Sequence, residues 1–237
     1  ALVQRVSREA LTKMCKKGDR QAFDMLVEGL ENEKETVREN AFEAIDDIIQ
    51  GQDLNKSLDI TDALITGLED NNSKVRYYAV SILGKLRALE AVNYLMNTLL
   101  EDKDYHVRAE SAWALGEIKD SKAISSLHKA LKDPERFVRE KVVLALDNFA
   151  DLSSIDPLIE ALQDKRDENN RVRALSALML GKIGSPKAIK SLLEALKDTF
   201  SDVREETSQA LQKIVRINKV PNITDLLKEV LTEVEQE

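Results

Sequence analysis

The chain is short of the residues on which most other architectures depend. It has one cysteine, Cys15, and no Cys-x-x-Cys, so an internal disulfide and a thiolate zinc site are both excluded and a reducing, cytoplasmic setting is implied. Four Pro, eight Gly, one Trp, four Tyr and five Phe are too few for the turns and aromatic strands of a β-sandwich or barrel. The longest apolar run is the stretch from Val142 to Leu146, far below the ~20 residues that cross a bilayer. The N-terminus also lacks the apolar core of a signal peptide, so no membrane partner is expected. The 35 basic side chains are outweighed by 43 acidic ones, which argues against a nucleic-acid partner, since such a partner selects a basic surface.

What the sequence does have is a repeat. Val-Arg recurs as Val37-Arg38, Val75-Arg76, Val107-Arg108, Val138-Arg139, Val172-Arg173 and Val203-Arg204, a step of about 33 residues. Seven positions before the Val stands a Leu opening Leu-x-Asp or Leu-x-Asn in five of these units: Leu30, Leu68, Leu100, Leu131 and Leu196. In the fifth unit Leu162 lies further back, because residues 165 to 170 add length. The period also stretches between the first two units, over residues 50 to 59. Both stretches are expected to be loops, where solenoids carry their insertions.

After each Val, apolar or small residues fall at offsets 4, 7, 8 and 11. Val107, Ser111, Ala114, Leu115 and Ile118 are one example; Val172, Ser176, Met179, Leu180 and Ile183 are another. At 100° per residue these share one arc roughly 100° wide, the mark of an amphipathic helix, termed B. The preceding element repeats an apolar 0, 3, 4, 7 pattern, as in Ile189, Leu192, Leu193 and Leu196, and is a second helix, A. Gly184-Ser185-Pro186 supplies a C-cap, an N-cap and a first-turn proline between units, and Asp133-Pro134 marks an A-to-B turn. The fold class predicted is all-α, a right-handed α-α superhelix forming a single domain. It comprises a cap helix over 2–17, repeats over about 21–52, 60–88, 91–120, 122–151, 154–184 and 187–217, and a cap helix over 222–235. In the first cap, Lys13 and Lys17 replace apolar residues, as suits a helix with one side in water.

The string Asp-x4-Val-Arg-x2-Ala-x2-Ala-Leu-Gly-x-Ile-Gly, carried by residues 102 to 119 with Ser111 for the first Ala and by 172 to 184, resembles the short HEAT-like repeats of the phycocyanobilin lyase family. The resemblance covers essentially the whole chain and implies a HEAT/armadillo-like solenoid. It does not fix the function, since similar arrays serve as binding scaffolds, bilin lyase subunits, a di-iron hydroxylase and DNA glycosylases. It also implies that Arg38, Arg76, Arg108, Arg139, Arg173 and Arg204 pair with the turn acids Asp70, Asp102, Asp133, Asp164 and Asp198 of their own or a neighbouring unit. Asn32 departs from that pattern in the first repeat. The Arg–carboxylate fork suits such a structural ladder, against the rival reading of a cationic ligand track. The hydroxylase relatives use repeated His-Glu pairs; here His106 precedes Val107 and His128 precedes Lys129. No catalytic residue, metal site or cofactor is therefore expected.

Offsets 2 and 6 of the B helices lie opposite the buried stripe. There the polar Glu39, Glu43, Glu205 and Gln209 flank a more apolar middle that includes Tyr77, Trp113, Leu144 and Leu178. With Tyr78 and Leu175 beside them, these are the candidate partner-binding residues, because apolar residues on an exposed ridge mark interaction sites and Trp or Tyr is the usual anchor. Packing of Trp113 between repeats is the rival reading. Residues 31 to 70 carry three bases (Lys34, Arg38, Lys56) against twelve acids, a bias able to steer a basic partner. The function expected is a non-catalytic scaffold that binds another protein or peptide on a concave face. A bilin or other tetrapyrrole lyase subunit or chaperone is the alternative, with Tyr77, Trp113 and Leu144 stacking on the macrocycle and Arg76 or Arg108 pairing its propionates. Nucleic-acid binding ranks below both.

Overall fold

The computed structural model of the chain describes residues 2–49, 60–165 and 170–218, with side chains from Arg8 onward. The expected loop over 50–59, residues 166–169 of the one over 165–170, and the C-terminal cap over 222–235 lie outside the described residues. Among those described there are thirteen α-helices and no strand, and no helix is long and apolar enough to cross a membrane.

Two compact units are formed, Ala1–Ala123 and Ile124–Glu237. In the first, α1 (Leu2–Cys15) precedes the pairs α2 (Arg20–Leu30) with α3 (Glu35–Ile49), α4 (Thr61–Gly67) with α5 (Ser73–Leu86), and α6 (Val92–Glu101) with α7 (Tyr105–Ile118). The second contains α8 (Ile124–Ala130) with α9 (Arg136–Asp147), α10 (Ile155–Gln163) with α11 (Arg171–Ile183), and α12 (Ile189–Ala195) with α13 (Ser201–Ile217). Each pair is an A helix followed by a B helix, as the repeat predicts. Several A helices are shorter than their repeat pattern because a single 3-10 turn leads into them, as at Pro186–Ala188 before α12. Gly184, at φ +77°, ends α11 in the left-handed conformation that glycine adopts without a Cβ penalty. Lys119 takes the same role after α7 at φ 61°.

The Val and the offset 4, 7 and 8 positions are buried in α7 and α11 alike. Burial extends further than a single arc, however. Val80, Ala112, Val143 and Ala177, all at offset 5, have no exposure. The reason is that a B helix packs against its own A helix and against neighbouring B helices, as α5 does with α3, α4 and α7. The approach between B helices is close enough to demand glycine. A Cβ on Gly84 would lie 2.8 Å from Cα of Ala114, and one on Gly181 would lie 2.5 Å from Cα of Ala210. The Gly at offset 9 is thus the hole that admits the small residue at offset 7 of the next B helix.

The A-to-B turns explain the Val-Arg and Leu-x-Asp signatures. The Asp70 carboxylate accepts the backbone N–H of Asn72 at 2.8 Å and shapes the turn; Asp102 does the same for Asp104 at 2.8 Å and Asp198 for Phe200 at 3.0 Å. Arg38, Arg76 and Arg173 each bridge two turns. Arg76 donates from Nη1 to the carbonyls of Asp70 and Asn71 in its own turn, at 2.8 and 3.2 Å. From Nε and Nη2 it donates to both oxygens of Asp102 in the next repeat, at 2.7 and 2.8 Å. Arg38 grips Asp70 and Arg173 grips Asp198 with the same fork. Arg108, Arg139 and Arg204 likewise donate from Nη1 to their own turn carbonyls. The Asn32 side chain shapes its turn through Lys34 N–H, at 3.0 Å.

Burial pushes Asp70 and Asp198 toward higher pKa, but the hydrogen bonds from Arg38 and Arg173 and from the turn N–H groups prevail and hold both below the ordinary carboxylate value. A depressed carboxylate contributes stability that is fully present above the unfolded pKa of ~3.9 and is lost as pH falls through the folded value. The urea midpoint is therefore expected to fall steeply below about pH 4. Arg173→Ala should cost about 3 kcal/mol near neutral pH by stranding Asp198, and should flatten that acid slope. A variant with unchanged urea midpoints across this range would show that the bridge carries no stability.

Candidate partner-binding surface

The surface left over by this packing is the outward part of the B helices. In the first unit it belongs to α3, α5 and α7. Tyr77 and Tyr78 on α5 are both half-buried and meet edge to face, with ring centroids 5.7 Å apart. Burial, then the charges of Glu110 and Asp46, push Tyr77 up to about 12. Burial with Glu43, Asp46 and Asp47 does the same for Tyr78, also to about 12, despite the opposing charge of Arg8. Asp46 is itself 6% exposed and receives Lys85 of α5 at 2.5 Å, so a charged bond ties these two B helices together. Arg8 of α1 pairs with Glu43, and Lys74 pairs with Glu39 at 2.7 Å.

Trp113 on α7 is half-buried, and a Cβ on Gly84 would stand 2.9 Å from its Cζ3. One edge of the indole therefore packs on α5 while the remainder reaches water.

In the second unit the surface belongs to α9, α11 and α13. Leu144 is 46% exposed and Leu178 is half-buried, but Leu175 is 7% exposed and cannot line an open ridge. Ser81, Ala109 and Ala174, at the offsets assigned to the ridge, are buried as well. The cause is the helix-to-helix packing described above, which covers more than the one arc that sequence periodicity defines. The ridge reading also passed over Phe137. It is 40% exposed on α9, two turns before Leu144 on the same face, with Lys141 Nζ 5.6 Å from its ring centroid. Counting the helical period backward from Leu144 finds it.

The two histidines serve locally. His106 stacks on Tyr105 at 3.9 Å and bonds Asp104 at 3.1 Å, while His128, its pKa lowered by burial, bonds Ser154 at 2.9 Å. Among the described residues no group of three His, Cys, Asp or Glu side chains converges as metal ligands. A shallow hollow between α8 and α10 is lined by His128, Lys132, Pro157 and Glu160, but its charges are already matched, with Lys132 and Glu160 2.9 Å apart.

The helix pairs agree with comparison to known proteins. The family profile described as HEAT repeats matches residues 61–147 and 127–212. The chain belongs to the HEAT-repeat family. No curated protein matches its sequence. Among solved structures, an archaeal HEAT-like repeat protein from Thermococcus onnurineus superposes with a TM-score of 0.63 at 19% identity, covering 89% of this chain and 98% of the other. A designed armadillo repeat protein in complex with the peptide (KR)4 gives 0.59 at 18% identity, over 80% and 98% of the two chains. The complex of CpcE and CpcF of phycocyanin lyase from Nostoc gives 0.50 at 19% identity, over 94% and 88%. At these identities the likeness is one of fold, so what a HEAT-repeat surface binds has to be argued from its own side chains.

Two measurements check this surface. Ultraviolet titration of the folded protein should show two tyrosines that ionise only near pH 12, a late phase that Tyr77→Phe and Tyr78→Phe each reduce. Trp113→Ala should lower stability by about 2 kcal/mol, less than a fully buried Trp because part of the ring is already wet. An unchanged melting temperature would remove the contact with Gly84 from the account.

Proposed function

We propose that this HEAT-repeat chain is a non-catalytic scaffold that binds a partner protein or peptide through the outward faces of its B helices. The observation that carries this reading is that Phe137 and Leu144, two large apolar side chains 40% and 46% exposed, share one face of α9, with the half-buried Leu178 at the register of Leu144 on α11. Covering such side chains is worth roughly 1 kcal/mol or more each, and large apolar side chains exposed on one helix face mark interaction surfaces. The designed armadillo neighbour, bound to a peptide, supports the reading at the level of fold. A single cysteine that is buried suits a reducing compartment, and the cytosol is the proposed location. The net charge of −8 sets nucleic acid aside as a partner.

The phycocyanobilin-lyase reading is less well supported. It assigns Arg76 or Arg108 to the propionates of a tetrapyrrole. Arg76 is 5% exposed with its fork on Asp102, and Arg108 is 9% exposed.

Capture of native partners on immobilised wild-type protein, compared with Leu144→Asp and Phe137→Ser, tests the scaffold reading. Both substitutions sit on exposed positions, so melting temperatures should be close to wild type, while affinity for a specific partner should fall about tenfold, or 1.4 kcal/mol. Folded variants that retain every wild-type partner at wild-type affinity would overturn it. Visible absorbance in the purified native protein would revive the tetrapyrrole reading.

A further inference from the structure

We propose that the α3–α5–α7 face of the first unit receives a lysine- or arginine-bearing extended segment of the partner, with a cation seated at the Tyr77–Tyr78 edge between carboxylates of α3 and α7. This deepens the scaffold reading and rests on it.

The first argument is charge complementarity. On α3 the acids Glu35, Glu39, Glu43, Asp46 and Asp47 succeed one another, and α7 adds Glu110 and Glu117. Facing them are Arg8 of α1, Lys74 and Lys85 of α5, and Arg87 beyond its end. Lys13 of α1, with Lys16 and Lys17 just after it, gathers beside Asp47 at one edge, so the excess of negative charge lies toward the tyrosines, at Glu43, Asp46 and Glu110. Burial first, and after it the neighbouring carboxylates, raise the pKa of both tyrosines. An acidic peptide or a phosphate backbone meets repulsion there; a basic segment is drawn in.

The second argument is the composition of the face. Two aromatic rings and part of the Trp113 indole lie among the carboxylates. Such a mixture holds a guanidinium or an ammonium with its alkyl stem, the stem against the rings and the charge on the acids. One in-chain competitor is weak. Lys74 has a side chain 67% exposed, so its bond to Glu39 is a solvent-screened pair that a partner cation displaces at little cost. Not every B helix offers this edge: on α9 a lysine, Lys141, stands at the register of Tyr78.

The test uses the full chain and a fluorescein-labelled peptide alternating lysine with serine, read by anisotropy at low and at physiological salt, beside a control with every lysine replaced by glutamine. The lysine peptide is expected to bind, to weaken as salt rises, and to lose about tenfold in affinity in the double variant Glu43→Gln, Glu110→Gln. Tyr78→Leu, a second variant that leaves the carboxylates in place, should weaken it about threefold through the lost ring. Thermal melts establish that each variant is folded. Equal binding of the glutamine peptide, no binding at low salt, or folded variants that bind as wild type does would each overturn the proposal. If the lysine peptide fails while native-partner binding still depends on Phe137 and Leu144, the scaffold reading stands and only the basic segment falls.

Discussion

The rest of the structure depends on one guanidinium group that closes its own turn and holds the next. Each Arg of the Val-Arg pair has five N–H donors in a rigid plane. In the best-defined bridges Nη1 reaches the carbonyls of its own A-to-B turn, and Nε with Nη2 takes both oxygens of the following repeat's Asp. A lysine offers no such fork, so it could join one turn but not set the angle between two. The Asp is constrained equally, since it shapes its turn through a backbone N–H and receives the fork at the same time. Buried ion pairs of this kind are costly to desolvate, and their main contribution is geometric: they fix the register of one helix pair on the next.

Once the turns are fixed, the spacing of the B helices follows, and with it what remains exposed. Gly84 and Gly181 admit Ala114 and Ala210 at distances that a Cβ would forbid. That approach buries the offset 5 residues completely and covers Ser81, Ala109, Ala174 and Leu175. Side chains longer than the packing is deep come through to solvent, among them Tyr77, Tyr78 and Trp113 in one unit and Phe137, Leu144 and Leu178 in the other. The surface chemistry is therefore decided by few positions, and the two units have decided it differently. One gathers carboxylates around aromatic rings; the other exposes apolar groups beside Lys141.

Much of this was legible in the sequence, because the repeat writes each structural rule several times. The period placed the helix pairs, the Gly-Ser-Pro stop placed the end of α11, and the Val-Arg and Leu-x-Asp pairs pointed to a ladder. What the sequence left open was which carboxylate an Arg takes, since its own turn acid and the next one are equally available on paper. The fold decides for the next repeat, the own turn being met through its carbonyls. Leu175 and Phe137 were misjudged for a shared reason. Helical periodicity describes one helix against one core, whereas a B helix here has neighbours on several sides, and the burial of a position depends on residues about 33 places away. The Lys85–Asp46 bond, joining α3 to α5, had no local signal at all.

The account stands on the claim that the Arg–Asp bridge couples adjacent repeats, and a double-mutant cycle on Arg76 and Asp102 tests it most directly. Urea unfolding of Arg76→Ala, Asp102→Ala and the double variant gives the coupling energy free of each residue's other contacts. A bidentate pair buried to this degree should show a coupling of about 2 kcal/mol or more, with the double variant scarcely less stable than either single one. Strictly additive losses, with a coupling below about 0.5 kcal/mol, would contradict the claim and leave the helices held together by apolar packing alone.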